Sequence, residues 1–182
     1  MSLSDPILFE PDKHSDLIPQ FTRIHIQCVL QDHVVATFLP PFDVDEHAVD
    51  QKVLSYWKSH ADQIRKGTRF LIFPLAGDQV AGYVTVGLPS TPTIGFRGEV
   101  EKLLVDPTHR RKGIAKTLML ALEKEAKSRG RDLLMLDAIR GFPAEHMYLR
   151  LGYIKIGEIP DAVMLPDTGE RRTEVLMYKD IR

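Results

Sequence analysis

Gly98-Glu99-Val100-Glu101-Lys102-Leu103-Leu104-Val105-Asp106-Pro107-Thr108-His109-Arg110-Arg111-Lys112-Gly113-Ile114-Ala115-Lys116-Thr117-Leu118 continues through Met119 to Gly130 without a break in pattern. An apolar strand, Val100 to Val105, stops at Asp106-Pro107, because proline cannot continue a ladder. A basic turn, His109 to Lys112, leads to a helix that starts near Gly113. Ile114, Leu118, Leu122 and Ala126 step by four and share one helix face. Glu123 and Lys127 can pair on the other face, and Gly130 is a natural left-handed stop. Free backbone N–H groups at the helix start, the helix dipole and the cations Arg110, Arg111 and Lys112 make an anion site suited to phosphate. A side chain at Gly113 would hold a pyrophosphate away from the backbone. The bare spacing Arg-x-x-Gly-x-Ala (Arg110, Gly113, Ala115) also suits an ordinary turn with solvated cations.

Working outward, Asp132 to Ala138 is an unbroken apolar strand. Its lack of alternation predicts burial on both faces and a parallel, central position, so strand–helix–strand here is one right-handed crossover. Pro143 opens a short helix bearing Ala144, Met147, Tyr148 and Leu151, which Gly152 ends. Tyr153 to Ile159 and Thr173 to Lys179 are strands, with Pro160 to Arg172 expected as a long loop. Upstream, Arg69 to Leu75 and Val80 to Leu88 form a hairpin about the turn Ala76-Gly77-Asp78-Gln79. Pro89 to Gly98 is a loop. A short strand is expected at Ile7 to Glu10. A helix capped by Asp16, with Pro19 in its first turn, carries Leu17, Phe21, Ile24 and Cys28. Thr37 to Asp43 is a loop, and a second helix is expected from about Val44 to Lys66, with Val49, Val53, Tyr56, Trp57, His60 and Ile64 on one face.

The 182 residues suit a single domain, 1–182, with a real core. Hydrophobic content of 43% and charged content of 27% are those of a soluble globular protein. A net charge of −1 argues against a general nucleic-acid binder. Asp5, Pro6, Glu10, Pro11 and Asp12 interrupt any leader pattern, and no apolar run approaches the roughly 20 residues that span a bilayer. A cytoplasmic protein, monomer or homodimer, without membrane or nucleic-acid partner, is the expectation. Cys28 is the single cysteine, excludes an internal disulfide and reads as a packed core thiol. The seven histidines form no ligand-spaced pair, so no metal is expected.

The turn and its flanks resemble the acetyl-CoA-binding motif of the GCN5-related N-acetyltransferases (GNAT), Gln/Arg-x-x-Gly-x-Gly/Ala, preceded here by Val-Glu-Lys-Leu-Leu-Val-Asp-Pro. The element order β-α-α-β-β-β-α-β-α-β-β agrees with that family along the chain. The resemblance implies an α/β fold with a mixed sheet, helices on both faces and a splayed central parallel strand pair. It implies acetyl-CoA as co-substrate, with the backbone of Arg110, Arg111, Lys112, Gly113, Ile114, Ala115 and Lys116 cradling the pyrophosphate. Leu103, Leu104 and Val105 would pair with the pantetheine arm, and His109 is a further donor if exposed.

The family reaction moves an acetyl group from a thioester to an amine. An alkyl ammonium, pKa near 10.4, must lose a proton, directly or through water. The carbonyl becomes an oxyanion that a strand N–H can stabilise. Ala144, Tyr148, Gly152 and Tyr153 fit the family register Ala-x-x-x-Tyr-x-x-x-Gly-Phe, which implies Tyr148 as general acid to the thiolate; the other reading is a core tyrosine. The Asn found in many relatives seven residues before this Tyr is Gly141 here. Glu99 and Asp137, with Glu101 in reserve, are the candidate acids at the splay; the other reading is strand-end carboxylates facing water. The C-terminal half is most similar to the tabtoxin-resistance acetyltransferase branch, through Glu-Val-x-Lys-Leu-x-Val, Leu-Asp and Tyr-x-x-x-Gly-Glu-x-Pro. That branch implies catalytic roles for Glu99, Asp137 and Tyr148, and has Gly where Ala115 stands. The expected activity is acetylation of a small amine (amino acid, toxin or antibiotic) by direct attack in a ternary complex. A protein N-terminal or lysine acetyltransferase and a non-catalytic acyl-CoA-binding module are the alternatives. A dinucleotide-binding domain lacks its Gly-x-Gly-x-x-Gly fingerprint.

Overall fold

The computed structural model describes residues 2–32, 37–45 and 49–182. After a short strand β1 (Ile7–Leu8), a four-residue helix α1 (Pro11–His14) and a 3-10 turn lead into α2 (Ile18–Asp32). α3 (Gln51–Arg65) follows, then β2 (Arg69–Phe73), β3 (Leu75–Ala76), β4 (Gln79–Val80) and β5 (Gly82–Gly87). β6 (Arg97–Val105), α4 (Ile114–Ser128), β7 (Leu133–Ile139), α5 (Pro143–Arg150), β8 (Ile154–Met164) and β9 (Arg171–Asp180) complete the chain.

Seven strands form one mixed sheet in the order β1-β2-β5-β6-β7-β9-β8, and β6–β7 is its parallel pair. Phe70 and Ile72 of β2, Val84 and Val86 of β5, Val100, Leu134 and Leu136 point to α4, whose Ile114, Leu118, Leu122 and Ala126 meet them as one cluster. The alternate residues Leu71, Phe73 and Tyr83 face α2 and α3 and pack with Phe21, Ile24, Val53 and Trp57. Fully burying each such side chain contributes roughly 1.5–3 kcal/mol. Period-two strands covered on both faces therefore fix β2 and β5 as interior strands.

Several boundaries differ from expectation. Pro74 interrupts the first long hairpin strand, and a separate β3–β4 turn forms beyond it. α3 begins at Gln51, because the Asp50 carboxylate accepts from the N–H groups of Lys52 (2.8 Å) and Val53 (3.1 Å) and caps it there. The expected start included positions 46–48, which lie outside the described residues. β7 is parallel to β6, but Leu133 and Met135 are only half-buried, since the α2–α3 cluster contains no β7 residue. The expected loop Pro160–Arg172 is mostly strand: Val163 pairs with Arg172 and Met164 with Arg171, leaving a turn closed by the Leu165 N–H to the Glu170 carbonyl (2.9 Å). Pro160 is tolerated because β8 is an edge strand. A register shift between Ile159 and Val163 absorbs the positive φ of Asp161.

Candidate active site

β6 and β7 pair only through Arg97–Leu133, Gly98–Leu134 and Glu99–Met135, although both strands run on. Beyond that point they diverge. A bulge in β6 accompanies the divergence. Tyr83 opposes Leu104 while Thr85 opposes Glu101, so β6 carries one extra residue there, and Lys102 takes φ +50°. The edge of β6 that faces β7 therefore has no ladder partner from Val100 to Val105. Backbone groups on that edge have no ladder partner from β7, though the Val105 carbonyl accepts from Cys28 (3.4 Å) and the Glu101 carbonyl from the Thr85 hydroxyl (3.1 Å).

Two cavities open at this divergence. One, of about 460 Å³, is lined by Leu103, Leu104, Val105, His109, Arg110, Arg111, Gly113, Ile114, Ala115 and Lys116, with Cys28, Asp32, Ala144, Met147, Tyr148 and Arg150 opposite. The other, of about 180 Å³, is lined by Val100, Glu101, Lys102, Asp137, Ile139, Phe142, Val163 and Glu174. Leu103, Leu104, Ala144 and Tyr148 belong to both walls.

The larger cleft has the chemistry of a diphosphate cradle. Arg111 (φ +59°) and Gly113 (φ +79°) turn the backbone left-handed on either side of Lys112. Such turns gather N–H groups into an anion nest. The first intrahelical bond runs from Thr117 N–H to the Gly113 carbonyl (3.0 Å), leaving the N–H groups of Ile114, Ala115 and Lys116 at the mouth of α4. A Cβ built on Gly113 would meet no protein atom within 4 Å, so the space it would fill is open to a ligand. Asp106 anchors the turn by accepting from the Thr108 N–H (2.8 Å) and hydroxyl (2.6 Å), and the Thr108 hydroxyl also lies 2.9 Å from the His109 Nδ1.

Two of the three expected cations play other parts. The Arg110 guanidinium forms a two-pronged pair with Asp32 at the end of α2, bracing the turn against that helix. Lys112 is exposed and does not line the cleft. Arg111 and Lys116 are the remaining lining cations of the nest. The Asp32 contact had no sequence signal, since the pair spans 78 positions. Cys28 is buried beneath the turn and donates to the Val105 carbonyl (3.4 Å). Burial and then Asp32 push its thiol up to about 12, so it stays protonated and inert.

In the smaller cavity, burial raises the Asp137 carboxyl above its usual range, with Lys102 pulling the other way. Asp137 remains open to solvent through the cavity mouth. Glu174, from β9, is raised by burial and then by Asp137. Sequence reading missed Glu174; its one signal was a carboxylate next to the apolar run Val175-Leu176-Met177. Tyr148 is buried (6% exposed), and burial followed by the Asp137 charge raises its phenol well above the usual value. α5 presents it because the Gly141 N–H (φ +78°) donates to the Glu145 carboxylate (2.6 Å), which ties the turn into the helix. Glu101 lines the cavity but is paired with Arg69 (2.6 Å). Glu99 lies opposite Gly87 and Met135, in the part where the strands still pair. It is exposed and lines neither cavity.

A sheet splayed at one parallel pair sets an anion nest beside a second, smaller cavity, with the buried Tyr148 phenol on both walls and the Asp137 carboxylate, open to solvent, in the smaller one. The model of the acetyltransferase (GNAT) family matches residues 32–153, and the chain belongs to that family. It is an acetyl-CoA-dependent acetyltransferase. A protein from Salmonella typhimurium described as an acetyltransferase, solved with acetyl-CoA, has 18% identity, covers 98% of this chain and 95% of its own, and superposes with a TM-score of 0.72. The ribosomal-protein-alanine N-acetyltransferase of Brucella melitensis has 18% identity over 99% of each chain, TM-score 0.69. An aminoglycoside 6'-acetyltransferase type Ii has 19% identity over 100% of this chain and 98% of its own, TM-score 0.67. The last two carry the same fold with different named acceptors. Among the described residues, no helix is long and apolar enough to cross a membrane.

Proposed function

We propose that this single domain acetylates the primary amine of a small molecule by direct attack, and that Tyr148, lining both cavities, is the point where donor and acceptor meet. Acetyl-CoA supplies an activated acyl group as a thioester. The nest from Arg110 to Lys116 holds its diphosphate, and the unpaired β6 edge at Leu103, Leu104 and Val105 receives the amide arm. Asp137 takes the proton of the acceptor ammonium, directly or through water. A free N–H of the β6 edge stabilises the developing oxyanion. The freed amine bonds to the thioester carbon; as the carbon–sulfur bond breaks, Tyr148 donates its proton to the sulfur, and the second proton of the newly bonded nitrogen restores the phenol, directly or through water. The elevated phenol pKa keeps Tyr148 protonated before that step. Asp137 serves better than Glu99, because Asp137 lines the acceptor cavity and Glu99 does not.

The acceptor cavity, about 180 Å³, is smaller than the roughly 300–1,000 Å³ of drug-sized pockets, which favours a compact amine over a peptide. The resemblance to the tabtoxin-resistance branch supports the same reading. The test is an amine screen with a thiol-detecting dye, comparing free amino acids and small amines with peptides. Turnover confined to peptides would reject the proposal.

A further inference from the structure

The acceptor cavity carries both signs of charge on opposite walls. Asp137 and Glu174 come from the adjacent strands β7 and β9, where Ile139 opposes Glu174 and Asp137 opposes Leu176. Across the divergence, Lys102 comes from the bulge of β6. Glu101 does not neutralise Lys102. Its carboxylate is held by Arg69 at 2.6 and 3.4 Å, and Arg69 is itself oriented by Gln63 (2.8 Å). Lys102 makes no hydrogen bond or ion pair among the described residues, although its charge is felt at Asp137, His25 and His60. A lysine at positive φ is uncommon, and the fold alone would be better served there by glycine or asparagine. The register shift holds Lys102 in that conformation with its side chain on the cavity.

A cavity whose anionic wall suits an ammonium leaves Lys102 facing the rest of the acceptor. A purely cationic amine would meet the like charge of Lys102, which no hydrogen-bonded partner among the described residues holds, in a confined space, and that disfavours it. A carboxylate there would gain a charge-assisted hydrogen bond. We propose that the acceptor is zwitterionic, a small amino acid whose amine lies against Asp137 and Glu174 and whose carboxylate is bound by Lys102. This rests on the small-amine reading above and narrows it. Lys102 is then the residue that selects the acceptor, not one that moves a proton.

The experiment compares matched acceptors: a panel of free amino acids, their carboxamides and their decarboxylated amines, with the full-length enzyme and acetyl-CoA. The wild type is expected to favour the carboxylate-bearing member by about tenfold or more in kcat/KM, the size of one charge-assisted hydrogen bond. Lys102→Met, which keeps the apolar stem, should collapse that ratio toward one through KM for the amino acid. Lys102→Arg should retain most of it. Calorimetry of each variant with CoA reports the donor cleft separately. Equal kcat/KM for the matched acceptors, or a ratio unchanged in Lys102→Met, overturns the zwitterion assignment while leaving small-amine acetylation standing. Acetylation of no free amine, with CoA still bound, overturns the small-amine reading and this one together.

Discussion

Tyr148 and Asp137 line the same acceptor cavity from different elements, the short helix α5 and the end of β7, and the Asp137 charge adds to burial in raising the Tyr148 phenol. In the proposed reaction Tyr148 is the protonated acid on the thioester side and Asp137 the carboxylate on the amine side. Neither group holds a competing ion pair among the described residues.

Replacing Tyr148 by Phe removes the proton donor and keeps the ring that packs against Tyr153 at 5.7 Å. Turnover should fall about 100-fold, within the usual range for a general acid. CoA binding by calorimetry should stay within about threefold of the wild type. An unchanged kcat would remove the phenol from the mechanism.

Asp137→Asn should lower kcat/KM for the amine and strip the acidic limb from its pH profile. Stability should move the other way. Because the folded-state pKa is raised, the native protein binds the Asp137 proton more tightly than the unfolded chain does. The wild type therefore loses stability as pH rises from about 3.8 through that raised value, and the Asn variant does not. Thermal unfolding should show a variant with higher Tm at neutral pH and little difference at pH 3.

Gly113→Ala tests the nest. The backbone at φ +79° costs a side chain about 1–2 kcal/mol. The added methyl also projects into space the diphosphate would occupy. CoA affinity should drop about tenfold or more, beyond what the modest fall in Tm explains. Titration calorimetry and a thermal melt on the same sample separate the two effects.

His25 is fully buried among Phe38, Tyr56 and Trp57, and neither ring nitrogen has a hydrogen-bond partner among the described residues. Burial lowers its pKa to about 3, and burial lowers His60 to about 4. The unfolded chain takes up these protons near pH 6.5 and the native protein does not, so stability should decline as pH falls from about 6.5 toward 4. His25→Phe should flatten that decline in urea midpoints measured across the interval. The same slope in both proteins would place the acid sensitivity elsewhere.

Much of the donor cleft was legible in one continuous stretch. The strand ending at Asp106-Pro107, the left-handed Gly113 and the four-step apolar face of α4 each follow from local rules, and together they set the nest. The placement of Tyr148 on α5 was legible for the same reason, since Ala144 and Tyr148 lie within one short helix and Gly152 just beyond its end. What failed was extent and partnership. Pro160 read as a loop, yet an edge strand accommodates it. The Arg110 guanidinium read as one of the cations around the turn; Asp32, 78 positions away, takes it, while Arg110 still lines the cleft. Glu99 read as a cavity acid, and Glu174 was passed over.

By itself, then, the sequence determined most of the elements, their apolar faces and the left-handed backbone turn before α4, because these depend on residues within a few positions of each other. Only the tertiary structure decided which charges line the smaller cavity. The point at which β6 and β7 stop pairing, and the extra residue in β6 that turns Lys102 toward Asp137 and Glu174, depend on how strands far apart in the chain align. Period and propensity do not encode that alignment; the packing of α2 and α4 on opposite faces of one sheet does.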